Sequence, residues 1–387
     1  MTTRGEKVCQ FIERYCLIPE GSKVGQPIKL LDFQRKFVLD VYDNPAGTSR
    51  AYLSVARKNG KSALIAAIVL AHLVGPEAKQ NSQIISGARS RDQASLVFKL
   101  AEKMVRLSDE LTKIVRIVPS QKSLVGLPCN VEYKAISAEA GTAHGLSPTL
   151  AVLDEVGQVR GPHDPFVEAI ETAQGAHHQP LLIAISTQAA TDGDLFSLWL
   201  DDAANSADPR IVSHLYTAPK DCELSDRKAW AAANPAMAQF RSQTDIEDFA
   251  AQAERLPAKA NSFRWLYLNQ RIEAQSPFLS RAEWEANNAS PNVEHEDYCF
   301  AGLDLSASRD LTALVLVFPK ADKFHIQPHF FLPSDGLRDK SQAEKTPYDL
   351  WADEGFLHTI DGPVIQPAVG ADCSGTCGNL RPTAAGI

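Results

Sequence analysis

The feature that most constrains the fold is a short basic loop, 55–62, between two apolar runs. Residues 50–55 have the length and composition of a buried strand, and residues 63–70 those of an apolar helix. A strand, a tight loop ending in Gly-Lys-Ser at 60–62 and a helix are the context of a phosphate-binding loop. The backbone N–H groups at the start of such a helix face phosphates, and the helix dipole adds to the attraction. The sequence therefore predicts a nucleotide-binding domain.

The apolar runs after this loop indicate the type of sheet. Three of them lie at 82–87, 149–154 and 181–187. Each is continuous, with little polar alternation, which is typical of strands that helices cover on both faces. The predicted fold class is α/β, a phosphate-loop ATPase core with a mostly parallel sheet over residues 1–219. Residues 220–275 turn to Ala, Gln and charge, which predicts a small helical subdomain with a capping-box helix start at 244–247, where Thr244 is the capping residue.

Four residues have the chemistry of ATP hydrolysis. Lys61 would reach the β and γ phosphates, and Ser62 would hold Mg²⁺. Asp154 and Glu155 end an apolar strand. There Asp154 would hold Mg²⁺ through water, and Glu155 would polarise the water that attacks the γ phosphate. The alternative interpretation of these two acids is a strand that simply stops at an exposed turn.

Other polar residues accompany this set. Thr187 and Gln188 follow the next apolar strand, where they would sense the γ phosphate, although an ordinary polar strand end explains them equally well. The Gln34 amide can donate to and accept from an adenine edge. Arg57 and Lys58 would place positive charge beside the γ phosphate, as an arginine finger does, or would balance the charge of the two acids.

The composition limits the location and the partners. No apolar run approaches the ~20 residues that cross a bilayer, and the N-terminus lacks the apolar core of a secretory signal, so we expect a cytoplasmic protein without a membrane partner. The net charge is −8, but residues 89–122 carry eight basic and four acidic side chains. This window is either a local nucleic-acid-binding surface or a solvated helix face. Cys373 and Cys377 lack the further ligands of a zinc site.

Taken together, these residues resemble the large subunit of tailed-phage terminases, the motor that packages DNA. The resemblance extends from about residue 5 to about residue 365. It includes a loop with an arginine and with Val55 where the usual first glycine would be. The segments that carry it are 33–34, 56–62, 88–94, 143–148, 153–155, 186–188, 302–306 and 310–314.

The resemblance implies roles at matching positions. Asp154 would coordinate Mg²⁺ together with Ser62, Glu155 would be the hydrolytic base, and Arg57 would contact the γ phosphate. The nucleotide-binding residues would be Gln34, Arg57, Lys58, Asn59, Gly60, Lys61 and Ser62, and the coupling residues Ser186, Thr187 and Gln188. The implied partners are double-stranded DNA, a portal protein and a small terminase subunit, with the large subunits forming a homo-oligomeric ring on the prohead.

The resemblance also implies a ribonuclease H-like nuclease domain, predicted here as a partial domain at 298–368 after a linker at 276–297. Its chemistry needs two Mg²⁺ or Mn²⁺ ions held by acids on separate strands. Asp304 matches the first acid, and Asp310 could lie near it. Residues 369–387 have no periodicity and are rich in small residues, so we expect a disordered tail instead of the later acids. DNA cleavage is therefore expected to be lost or impaired.

Two other functions fit part of the sequence. A helicase-like translocase without phage kinship would need a second motor domain of similar size, and no second phosphate-loop pattern follows residue 190. An inactive product of a decayed prophage would explain the tail. The intact Lys61, Asp154 and Glu155 argue against decay of the motor itself.

Overall fold

A computed structural model provides the structure of the protein. It describes residues 2–138, 146–237, 239–272, 287, 293–294, 297–305, 311–320, 323–344 and 346–362. The chain forms two compact units, residues 1–276 and 277–387. Asp310, the expected tail at 369–387 and most of the predicted linker at 276–297 lie outside the described residues.

The first unit contains a sheet of eight strands. They are β1 (Arg50–Ser54), β2 (Gln83–Ala88), β3 (Val115–Val118), β4 (Ser123–Gly126), β5 (Val131–Ser137), β6 (Pro148–Asp154), β7 (Leu181–Ser186) and β8 (Ile211–Leu215). Their order is β3-β4-β5-β2-β6-β7-β1-β8. The six strands from β5 to β8 in this order pair in parallel, and only β3-β4-β5 are antiparallel. The mostly parallel α/β class predicted from the apolar runs is confirmed.

Helices surround this sheet. They are α1 (Arg4–Tyr15), α2 (Asp32–Tyr42), α3 (Lys61–Leu73), α4 (Arg91–Leu107), α5 (Asp109–Ile114), α6 (Pro165–Ala173), α7 (Leu195–Asn205), α8 (Arg227–Ala233), α9 (Gln243–Arg255) and α10 (Pro257–Tyr267). One core cluster joins α1, α3 and α4 to the sheet, and a second joins α6 and α7 to it. Helix α3 is apolar nearly all round because almost all of its residues are buried.

Three elements of the first unit were not predicted from the sequence, namely α5, α7 and β8. Strand β8 adds to the sheet beside β1, in parallel, and its residues are half-buried or exposed. An edge strand of this kind has no continuous apolar run, which is why the sequence pattern does not reveal it.

Helices α8, α9 and α10 form the helical segment predicted after residue 220. Their core includes Trp230, Ile246 and Phe263, and Ala56 of the basic loop packs into the same cluster. The prediction that Thr244 caps a helix was wrong by two residues, because Ser242 is the capping residue and α9 begins at Gln243. The Ser242 hydroxyl caps it by accepting a hydrogen bond from the backbone N–H of Asp245 at 3.2 Å.

The second unit contains a smaller sheet. Its elements are β9 (Phe300–Asp304), β10 (Thr312–Lys320), β11 (Lys323–Pro333), α12 (Leu337–Glu344), α13 (Tyr348–Asp353) and β12 (His358–Ile360). The strand order is β12-β11-β10-β9, with β9, β10 and β11 antiparallel and β12 parallel to β11. A small cluster of Leu332, Tyr348 and Leu357 packs α13 against the sheet. Within the described ranges, none of the helices has the length and apolarity of a bilayer span.

A buried histidine in α3 makes the stability of the first unit depend on pH. His72 Nε2 lies 2.8 Å from the Tyr42 hydroxyl, and burial lowers the pKa of His72 to about 3, with Arg4 and Lys79 adding to the shift. Below its ordinary pKa of 6.5 the unfolded chain therefore gains a proton that the folded chain does not accept. Stability falls as the pH drops from about 7 towards 3.

We expect the wild-type protein to lose about 2 kcal/mol more unfolding free energy than His72→Gln between pH 7 and pH 5. Urea unfolding followed by circular dichroism at both pH values measures this difference. His178→Gln, which alters an exposed histidine, is the matched control and should keep the wild-type pH dependence. Parallel pH profiles for wild type and His72→Gln would contradict the assignment.

Candidate active site

The basic loop between β1 and α3 has a fixed backbone shape. Lys58 and Gly60 both have left-handed conformations, with φ of 63° and 79°. The left-handed backbone favours glycine at position 60, and a Cβ there would press on Phe240 Cζ at 3.0 Å and touch Gln34 Nε2 at 3.4 Å. Gly60 caps α3, which places Lys61 at the first position of the helix. The start of α3 therefore has the form of an anion-binding helix terminus.

The Asn59 side chain fastens the loop to the helical segment. It is fully buried, and its Nδ2 donates to the carbonyl oxygens of Ala56 at 3.1 Å and Arg57 at 3.2 Å. The same nitrogen donates to Asn234 Oδ1 at 2.9 Å, and Asn59 Oδ1 accepts from the backbone N–H of Ala236 at 3.1 Å. The Asn59 side chain therefore stabilises the loop both through its own carbonyl groups and through the helical segment.

Lys61 is a buried cation at the centre of the site. Its Nζ donates to the carbonyl oxygens of Val55 at 2.9 Å and Ala56 at 3.3 Å. Burial lowers the pKa of Lys61, while the carboxylates of Glu155 and Asp154 oppose that shift. Val55, which replaces the usual first glycine, is itself fully buried in the core. The Val55 side chain therefore packs in the core, and its carbonyl oxygen accepts a hydrogen bond from Lys61.

The two acids lie at the end of β6, next to this lysine. Asp154 is buried, and its Oδ1 has no hydrogen-bond partner. Burial raises the pKa of Asp154 to about 7, with Glu155 adding to the shift and Lys61 opposing it. Glu155 has a left-handed backbone with φ of 57°, and its N–H donates to the Ile185 carbonyl at 2.8 Å. The left-handed turn places the two successive acids in different environments, one buried and one half-buried.

Mg²⁺ fits this donor set. An orphaned buried carboxylate oxygen on Asp154 is costly unless it gains a partner, and a cation supplies one. Carboxylate and hydroxyl oxygens, as on Asp154 and Ser62, are the ligands that Mg²⁺ prefers.

The residues at the end of β7 and just after it contact two different parts of the structure, the acids after β6 and the helical segment. Ser186 Oγ accepts from the Gly157 N–H at 2.9 Å and donates to Glu155 Oε2 at 3.4 Å. Thr187 is almost fully buried, and its carbonyl oxygen would lie 2.3 Å from a Cβ on Gly157. The Gln188 N–H instead donates to Asn269 Oδ1 at 2.7 Å. Of the predicted coupling residues, Ser186 is therefore the one whose side chain contacts the candidate base.

The other predicted nucleotide-binding residues border the loop. Gln34 is buried, and its Oε1 accepts from the Leu31 N–H at 3.0 Å, which leaves Nε2 facing Gly60. Arg57 is exposed, and Lys58 Nζ pairs with Asp245 Oδ1 at 3.3 Å in α9. Lys58 is thus paired with an acid of the helical segment, whereas charge balance with the two acids after β6 was the alternative expected from the sequence.

The basic window at 89–122 has two parts. Arg89 lines a small cavity with Asp154 and Glu155, and its Nη1 donates to the Gln158 carbonyl at 3.0 Å. The rest lies mainly on α4 and beyond it, where Lys99, Lys113 and Arg116 are exposed, while Lys103 and Arg106 form surface ion pairs.

The candidate nuclease residue Asp304 lies in the second unit. It ends β9, is exposed, and pairs with Ala313 of β10 in register. Across the described ranges, no group of three or more His, Cys, Asp or Glu side chains is arranged to hold a metal ion.

Comparisons with known proteins agree with this architecture. The chain matches the family model of the terminase large subunit ATPase domain over residues 33–201. It matches the model of the terminase large subunit endonuclease domain over residues 207–373. The large terminase subunit of Enterobacteria phage HK97 is 56% identical over 365 residues, which are 94% of this chain and 72% of that protein.

A solved structure of a relative gives the same result. The crystal structure of the HK97 bacteriophage large terminase is 55% identical, with a TM-score of 0.68, and the match covers 97% of this chain and 78% of that one. The ATPase domain of the Thermus phage P74-26 large terminase is 18% identical, with a TM-score of 0.45, and covers 66% of this chain and all of that domain.

A phosphate-binding loop beside two acids on a parallel sheet defines a P-loop ATPase. The chain belongs to the terminase large subunit family, with its ATPase and endonuclease domains. The resemblance inferred from the sequence is confirmed. The endonuclease model begins at residue 207 and so includes β8, although β8 belongs to the eight-stranded sheet of the first unit.

Sequence reasoning missed the residues of the helical segment that hold the site. Asn234 and Asn269 are both buried and hydrogen-bonded to the loop or to the strands beside it. Nothing in their local sequence marks them, because their partners lie far away along the chain.

We expect Asn59→Ala to lower the free energy of unfolding by about 2–4 kcal/mol, because it leaves buried Asn234 Oδ1 and the Ala236 N–H without this partner. Asn205→Ala, an exposed asparagine in α7, should cost less than about 0.5 kcal/mol. Urea unfolding of both variants measures the difference, and equal stabilities would refute the bracing role of Asn59.

Proposed function

We propose that this chain hydrolyses ATP to drive phage DNA into proheads. The observation that carries the proposal is the convergence of Lys61, Asp154 and Glu155 at the carboxyl edge of one parallel sheet, in a chain of the terminase large subunit family. Lys61, already buried beside both acids, would exchange its loop carbonyls for the β and γ phosphates of ATP.

The other loop residues would position the nucleotide. Gln34 Nε2, which faces the start of α3, would donate to the adenine edge. The backbone of Lys58, Asn59 and Gly60 would surround the phosphates, and the exposed Arg57 would approach the γ phosphate, where it would stabilise negative charge in the transition state. Ser62 and Asp154 would hold Mg²⁺, which neutralises phosphate charge when it is bound.

Glu155 would act as the base. It would accept a proton from water as the water oxygen bonds to the γ phosphorus and the bond from that phosphorus to the β–γ bridging oxygen breaks, which releases ADP and phosphate. Ser186 contacts Glu155 directly, so loss of the γ phosphate would be transmitted to the strand end at 186–188. Thr187 and Gln188 would carry that change onward.

The partners of this chain are proposed from its family membership. The chain would act on double-stranded DNA with a portal protein and a small terminase subunit, as a homo-oligomeric ring in the cytoplasm of a bacterial host. The exposed basic residues of and beyond α4 would contact the DNA backbone weakly and repeatedly. A helicase-like translocase is disfavoured, because the described second unit has a small, mainly antiparallel sheet and not a second motor.

We expect Glu155→Gln to lower kcat for ATP hydrolysis by about 10²–10⁴ while nucleotide affinity changes little, because the base is lost and the phosphate contacts remain. A coupled assay of ADP release and a fluorescent-nucleotide titration measure the two quantities, each with and without linear DNA. Glu171→Gln is the matched control, because Glu171 pairs with Arg50 at the opposite end of β1. A wild-type protein without ATPase activity would favour the decayed-prophage alternative, and unchanged kcat in Glu155→Gln would refute the base assignment.

We further propose that DNA cleavage is lost or impaired in this chain. The support is that Asp304 is exposed at the end of β9 and that, in the part of the second unit that the structure describes, no metal-binding group of acids surrounds it. Two-metal cleavage requires several carboxylates at one place.

We expect purified protein with Mg²⁺ or Mn²⁺ to nick supercoiled plasmid no faster than its Asp304→Ala variant, because within the described part of the second unit Asp304 belongs to no group of acids that could hold two metal ions. Agarose-gel conversion of supercoiled to open-circular DNA measures the rate. Nicking that Asp304→Ala abolishes would show an active nuclease and contradict the proposal.

A further inference from the structure

One side chain of the helical segment joins the carboxyl ends of three neighbouring strands. Asn269 Nδ2 donates to Ser54 Oγ at the end of β1, at 3.1 Å, and to the Tyr216 carbonyl just after β8, at 2.8 Å. Its Oδ1 accepts from the Gln188 N–H just after β7, at 2.7 Å. Asn269 is fully buried and left-handed, with φ of 52°. A strained, buried residue with every amide group in use is held there by its surroundings.

Arg271 makes a second set of bonds at the same place. Its Nε donates to Gln188 Oε1 at 3.0 Å, and its Nη1 donates to Asp192 Oδ1 at 2.9 Å and Asp201 Oδ2 at 2.8 Å. Its Nη2 donates to Asp201 Oδ1 and to the Ser197 carbonyl. The guanidinium fork therefore connects Gln188 to helix α7 and to the turn before it.

Gln188 is consequently fixed from several sides. Its carbonyl accepts from Trp265 Nε1 at 2.7 Å, and its Nε2 donates to Thr217 Oγ1 at 3.3 Å and to the Asn269 carbonyl. Two residues earlier, the Ser186–Glu155 hydrogen bond is long, at 3.4 Å. The contact at the acid is thus the weak one, and the contacts to the helical segment are mostly short, so a displacement of Ser186 would be carried into 265–272.

We propose that Asn269 and Arg271 are positioning residues. They would transmit a change at Glu155, caused by the bound nucleotide, to α10 and to residues 268–272. The inference rests on the proposed ATPase function. Coupling requires contacts that differ between two states, and the Ser186–Glu155 bond is the contact that a bound γ phosphate and its attacking water would change. Asn269 and Arg271 also come shortly before the second unit along the chain, which begins at residue 277.

Hydrogen–deuterium exchange of the full chain tests the proposal. Amides in 257–272 are compared between the ADP complex and the ADP–aluminium fluoride complex, which mimics the transition state. We expect the wild type to show a difference in protection between the two complexes, and Arg271→Lys to lose most of it, because a lysine ammonium cannot reach both Gln188 and Asp201 as the fork does.

Arg264→Lys is the matched control. Arg264 lies in α10, and the variant makes the same arginine-to-lysine change there. The Arg264 side chain donates to Gln270 Oε1 and to the carbonyls of Lys220 and Cys222, away from the strand ends. It should keep the wild-type difference in exchange. Asn269→Gly, which retains the left-handed backbone and removes the amide, should lose it as Arg271→Lys does.

Kinetics separate a coupling role from a merely structural one. Arg271→Lys should retain DNA-independent kcat and KM within about threefold of wild type and lose most of the stimulation of ATPase activity by linear DNA. A wild type without ATPase activity would sink the proposed function. An active wild type with no nucleotide-dependent exchange at 257–272, or an Arg271→Lys variant with the wild-type difference, would overturn the inference alone.

Discussion

The parallel pairing of β6, β7 and β1 is the constraint on which the candidate site depends. Neighbouring parallel strands end at one edge of the sheet, so Lys61, Asp154 and Ser186 meet although they are distant in sequence. Lys61 and Asp154 are both buried at this edge, so the lysine amine and the aspartate carboxyl group are removed from water. Each group favours the charged form of the other, because the acids oppose the lowering of the Lys61 pKa by burial and Lys61 opposes the raising of the Asp154 pKa.

The basic loop depends on the helical segment as much as on the sheet. Asn59 is bonded to Asn234, and the Arg57 N–H donates to the Leu266 carbonyl at 3.0 Å. The space that a side chain at Gly60 would need is bounded by Phe240. The helical segment is therefore part of the proposed nucleotide site, and a change in a bound nucleotide would have a direct route into it.

The strong local patterns in the sequence were enough for most of the first unit. Continuous apolar runs predicted β1, β2, β6 and β7, since strands buried on both faces need no polar alternation. The family resemblance and the fold class were confirmed, whereas the site assignments remain predictions that the geometry supports. The half-exposed β8 escaped prediction, and so did Asn269, because its partners Ser54, Gln188 and Tyr216 come from three separate strands.

The sequence by itself determined the chemistry: a lysine and a serine after a strand, two acids after another, and polar residues after a third. These are local signals, since each depends only on a strand end and the next few residues. Only the tertiary structure decided how they are used. It turned Asn59 inward, paired Lys58 with Asp245, placed Ser186 against Glu155 and tied Gln188 to Arg271. Such pairings follow from strand order and packing, which bring together side chains that no local pattern relates.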